Sequence, residues 1–118
     1  MSSDYFSSDD FKDLLSRYQN MRRHSIVEYF DVDDIIDLSD YYMEYGNVAD
    51  AIEALGFGIK THPNNDQLKI VLAGIEVSQN NYRKADLILK SLNDAESLND
   101  YYYVKAQLLL TIHADYDK

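Results

Sequence analysis

No cysteine occurs in the chain, which removes disulfide frameworks, thiolate nucleophiles and sulfur-ligated metals from consideration. One proline and four glycines are too few for the many tight turns of a multi-stranded sheet. Basic residues are scarce as well. Lys and Arg number 11 against 21 Asp and Glu, a formal charge of −10, which disfavours phosphate backbones and anionic lipid headgroups as partners. The opening MSSDYFSSDDF has neither the basic start nor the apolar run of a signal peptide, and no stretch approaches the ~18 apolar residues that span a bilayer. These absences point to a cytoplasmic protein. At 118 residues the chain has the size of one domain with one modest core.

What remains is helical periodicity. In DDFKDLLSRYQNM, Phe11, Leu14, Leu15, Tyr18 and Met21 share one helical face. Ser7 with Asp10 forms an expected capping box before it, and Arg22 and Arg23 suit its C-terminal dipole end. In VDDIIDLSDYYMEYG, Ile35, Leu38, Tyr42 and Tyr45 recur at spacings of three and four, after the capping carboxylates Asp31, Asp33 and Asp34 and before the stop at Gly46. A helix from about Val48 to Lys60, with Asn47 as cap, ends before Pro63, which disfavours helix at His62. Asn64 and Asn65 cap a further helix to about Ser78, a second Asn-Asn turn leads into YRKADLILKSL, and a last helix covers roughly Asp100 to His113. The pattern is all-α, in short antiparallel pairs. The stretch SIVEYF has no clear place in it.

The helices recur at a fixed interval. Leu38 and Leu72 are 34 residues apart, as are Val48 and Tyr82, Ala51 and Ala85, Leu55 and Leu89, and Tyr82 and Tyr116. A helix–turn–helix unit with this period, and the stretch LSDYYMEYGNVADAIEALGFGIKTHPNN in particular, resembles the tetratricopeptide repeat. By that resemblance Leu38 and Tyr42 fill the large apolar sites of a first helix, Gly46 the turn, Ala51 and Gly58 the small sites of a second helix, and Pro63 the closing proline. Ile35 stands where the family usually has tryptophan and Ser39 where it often has glycine. The next copy keeps Leu72, Ala73, Tyr82 and Ala85 but has Glu76 at the aromatic site and Ser97 at the proline site. The resemblance implies a right-handed α-α superhelix, a TPR solenoid, with an N-terminal capping helix and about two and a half repeats. Its expected divisions are a cap and connector over 1–31, units over 32–65 and 66–99, and the first helix of a third unit over 100–118. ADYDK (114–118) then falls at the turn of that third unit, as if the chain were an N-terminal piece of a longer array. Its uncovered strip, Tyr103, Ala106 and Leu110, would favour a homodimer.

Signs of catalysis or cofactor binding are weak throughout. His24, His62 and His113 are scattered, without a histidine at i+3 or i+4. DVDDIIDLSDYY lacks the glycine (Ile36 stands there) and the final glutamate (Tyr42) of a calcium loop, so a dipole-favoured helix start explains its carboxylates. GFG at 56–58 lacks the lysine and third glycine of a phosphate loop and suits close helix packing. The expectation is a non-enzyme with no cofactor and no metal. The 11 tyrosines include Tyr41, Tyr42 and Tyr45 in one helix and Tyr101, Tyr102 and Tyr103 in another, and half-buried helix contacts are their ordinary role.

Two function classes stand. In the first, the resemblance implies a protein-interaction scaffold whose concave groove is lined by the first helix of each unit. That groove would present Asp33, Ile36, Asp37, Asp40, Met43 and Glu44, then Gln67, Ile70 and Gly74, then Tyr101, Val104 and Leu108. Its acidic start and apolar finish select a partner segment with basic and apolar residues. The chaperone-tail clamps of the family need groove lysines and asparagines, whereas Ile36, Asp40, Val71, Tyr101 and Lys105 stand at those places, so a terminal carboxylate is not the expected ligand. In the second class the chain is a structural, self-association or sensor segment of a larger protein.

Overall fold

The computed structural model describes residues 3–92 and 104–110. Seven helices are found there: α1 (Ser3–Phe6), α2 (Asp9–His24), α3 (Val32–Glu44), α4 (Val48–Thr61), α5 (Asp66–Ser78), α6 (Tyr82–Lys90) and α7 (104–110). No strand occurs among the described residues, and no helix there is long and apolar enough to cross a membrane. The expected last helix is described only over 104–110, and Tyr101, Tyr103, His113 and the ADYDK turn lie outside the described residues. The chain divides into two compact units between Ala54 and Leu55, inside α4 rather than at a repeat boundary.

The helix limits carry the repeat. α3 and α5 begin 34 residues apart, at Val32 and Asp66, and end 34 apart, at Glu44 and Ser78; α4 and α6 begin at Val48 and Tyr82. Their caps obey the same interval. Asp31 accepts from the Asp34 N–H at 2.8 Å while the Asp34 carboxylate accepts from the Asp31 N–H at 3.3 Å, a reciprocal capping box. Asn65 accepts from the Leu68 N–H at 3.0 Å.

In the first unit, Phe11, Leu14, Tyr18 and Met21 form the buried face of α2, with Leu15 at its half-buried edge. The N-cap of α2 is Ser8, which accepts from the Phe11 N–H at 3.2 Å, and not the expected Ser7. Ser7 instead donates to the Asp4 carbonyl and closes α1, a turn of helix that periodicity alone does not reveal because it is only four residues long. SIVEYF is an extended connector. Ser25 adopts φ 56° at the end of α2, Arg17 Nε then grips the Glu28 carboxylate at 2.7 Å, and Phe30 is fully buried beside Tyr18, with the Arg17 guanidinium 5.0 Å from its ring centre. Arg22 ties α2 to the start of α4 through Glu53 at 2.6 Å and Asp50 at 3.4 Å.

In the second unit α5 and α6 pack together. Ile70, Ala73 and Val77 of α5, Ala85 and Leu89 of α6, and Val104 and Leu108 of α7 make one core, with Tyr82 half-buried against it. Ala51 and Ala85, the small residues of the pattern, are both fully buried. Glu76 stands at the place of Tyr42 and is as deeply buried. It accepts from Asn81 Nδ2 at 3.3 Å, and Lys84 Nζ lies 3.1 Å from its second carboxylate oxygen, off the direction of a hydrogen bond. A buried carboxylate is costly without such compensation, and this pairing is how the second copy tolerates losing the aromatic.

Candidate functional site

The helical period separates α3 into two faces. Ile35, Leu38, Ser39 and Tyr42 turn inward, with the Ser39 hydroxyl returned to the Ile36 carbonyl at 2.8 Å. Asp33 and Glu44 are exposed, and Ile36, Asp37, Asp40 and Met43 are half-buried, so all six residues expected on this helix retain open surface. Tyr45, expected on the inward face, is exposed and meets Tyr41 in a tilted ring contact at 5.0 Å between ring centres.

The open face is rich in carboxylates. Among the described residues, no Lys or Arg makes an ion pair with Asp33, Asp37, Asp40 or Glu44. Burial is the leading cause that raises the carboxyls of Asp34, Asp37 and Asp40 above the ordinary carboxylate range, and like-charged neighbours add to it. At Asp37 a hydrogen bond from the Tyr5 hydroxyl opposes the rise.

That hydroxyl belongs to α1, and the sequence did not disclose the contact. Tyr5 donates to the Asp37 carboxylate at 2.9 Å, and burial together with that carboxylate pushes its own pKa up. Phe6 is buried, 5.5 Å from Tyr41 and 5.0 Å from Phe11 between ring centres. Asp37 and Tyr41 are four residues apart and share one helical face, so α1 lies over one turn of the acidic surface. The adjacent Tyr-Phe pair before α2 was the available signal.

The apolar half of the expected groove requires correction. Ile70, Val104 and Leu108 are 1%, 6% and 2% exposed and belong to the core of the second unit, so they cannot form an open binding surface. The physical reason is lateral packing. Ile36, Ile70 and Val104 occupy equivalent places at the 34-residue interval, and the apolar side chains of α5 and α7 pack on each other there instead of facing outward. A Cβ added to half-buried Gly74 would lie 3.6 Å from Val104, which shows how closely α7 approaches. Gln67 is exposed. Tyr101 lies outside the described residues.

The arrangement sets carboxylates and the Tyr41 and Tyr45 rings on one helix. A family model described as tetratricopeptide repeat matches residues 42–108, more than half of the chain. No curated protein and no solved structure matches the chain.

Proposed function

The chain belongs to the tetratricopeptide repeat family, and from that premise we propose that it is a protein-interaction scaffold whose α3 face receives a basic and apolar segment of a partner protein. Members of the family generally mediate protein–protein contacts. One observation carries the finer reading: four carboxylates, Asp33, Asp37, Asp40 and Glu44, share open surface with Ile36 and Met43, and no described Lys or Arg neutralises them. Such a surface attracts cations and rejects acidic partners.

A fluorescein-labelled synthetic peptide of lysine, arginine and leucine tests the proposal by fluorescence anisotropy. Binding should weaken steeply with salt and weaken further in the double variant Asp40→Lys, Glu44→Lys. Asp37 is left in place because Tyr5 depends on it. Binding that ignores both salt and the double variant excludes the α3 face.

A second reading, self-association, draws on apolar exposure in the second unit. Leu87, Leu109 and Leu110 are 62%, 49% and 71% exposed. Sedimentation of the chain with and without Leu110→Glu separates the two readings, because only self-association predicts a dimer that this change dissolves.

A further inference from the structure

We propose that α1 is a displaceable occupant of the binding face, held on α3 by Tyr5 and Phe6 until a partner segment takes their places. This inference rests on the reading of α3 as the interaction surface.

α1 cannot hold itself. It is a single turn of four residues, and a helix of that length has no stability of its own in water. Its backbone leads directly into α2, with the Ser8 N–H donating to the Tyr5 carbonyl at 2.9 Å. It meets α3 through the Tyr5 hydroxyl on Asp37 and the Phe6 ring on Tyr41, and both of its rings also rest on Phe11 of α2, at 5.6 and 5.0 Å between ring centres. A single turn held only by side-chain contacts opens at lower free energy than global unfolding.

The two anchors also describe the chemistry that replaces them. Asp37 needs a hydrogen-bond donor, and Tyr5 supplies a neutral one. A lysine ammonium or arginine guanidinium supplies a charge-assisted bond of about twice the strength and relieves the repulsion among Asp33, Asp37 and Asp40. Tyr41 and Phe11 need an apolar cover, which Phe6 provides and an aromatic or leucine side chain of a partner replaces. A basic residue next to an apolar one therefore outcompetes α1. An acidic or purely polar segment does not. Occupation by α1 reduces the apparent affinity by the fraction of chains in which the face is open.

The test uses the full chain and the same labelled lysine–arginine–leucine peptide. Tyr5→Phe keeps both rings and removes only the bond to Asp37; Phe6→Ala removes the cover on Tyr41. Each should tighten the peptide, by severalfold to roughly tenfold, because the open fraction grows. A Phe6→Trp variant reports on α1 directly. The introduced indole should emit as a buried group in the free chain and shift to longer wavelength as the peptide saturates. Two outcomes overturn the inference while leaving the binding face intact: peptide binding that is salt-sensitive but unchanged or weakened in both variants, or an indole that stays buried at saturation. A peptide that binds none of these chains overturns the inference and the binding face together.

Discussion

Gly46 and Asn80, 34 residues apart, take the same left-handed conformation, φ 77° and 65°, and close α3 and α5 with the same two hydrogen bonds. The Gly46 N–H donates to the Met43 carbonyl at 3.1 Å and the Asn47 N–H to the Tyr42 carbonyl at 2.7 Å. In the next copy Asn80 donates to Val77 at 3.0 Å and Asn81 to Glu76 at 2.8 Å. This paired closure is the Schellman motif, and its repetition makes each first helix turn into its second by one geometry. A left-handed residue with a Cβ costs about 1–2 kcal/mol, less for asparagine than for alanine. Nothing lies within 4 Å of a Cβ built on Gly46, so the effect there is conformational alone. Gly46→Ala should destabilise the chain by about 1 kcal/mol, whereas Asn80→Gly should be neutral or stabilising. Equal denaturation midpoints for Gly46→Ala and the parent chain would contradict this account.

Ala51 is the small residue of the first repeat and is fully buried. Leucine at that position forces extra methylenes into a filled space, and Ala51→Leu should cost roughly 1–3 kcal/mol. Chemical denaturation checks this value. An unchanged midpoint would mean that the site has room that its burial conceals.

The sequence made the repeat legible because its signals are local. Spacings of three and four, the Asp31 and Asn65 caps and the Gly46 stop all depend on neighbours within one turn, and the structure places them as expected. The acidic residues of α3 were legible for the same reason, since one helix face follows from period alone. What failed depends on neighbouring helices. Ile70, Val104 and Leu108 lie on a helix side that looks open until another helix packs against it. SIVEYF was opaque because its order comes from Arg17 on α2 and from burial of Phe30, contacts that no periodicity encodes. Tyr5 and Asp37, 32 residues apart, are invisible for the same reason.

Glu76 is a buried carboxylate with a mostly exposed cationic partner, Lys84. Removing Lys84 leaves that charge with only the Asn81 amide, and Lys84→Ala should lower the thermal midpoint. Removing the carboxylate instead costs little, because Lys84 and Asn81 both reach water. Glu76→Met should leave the midpoint unchanged or raise it, since apolar replacement of a buried ion is often neutral or stabilising. In a double-mutant cycle, Lys84→Ala should then have no effect in the Glu76→Met background. A midpoint that falls in Glu76→Met and not in Lys84→Ala would reverse the assignment.

Acid should stabilise this protein over a limited range. The carboxyls of Asp34, Asp37 and Asp40 are raised in the folded state, with burial as the leading cause. A carboxyl with a raised folded pKa binds more protons folded than unfolded. Its stabilising contribution is therefore complete below the unfolded value near 3.8 and is lost as pH rises through the folded value. The formal charge of −10 acts in the same direction, since partial protonation reduces self-repulsion. The thermal midpoint should accordingly climb as pH is lowered from 7 toward the upper edge of the carboxylate range. Asp40→Asn removes one of the raised groups without removing a hydrogen bond from Tyr5, so it should raise the midpoint at pH 7 and flatten the climb. Thermal melts of the two chains across that interval decide the matter. A midpoint that falls steadily on acidification, or an Asp40→Asn profile parallel to that of the parent chain, would show that burial on α3 does not govern the response.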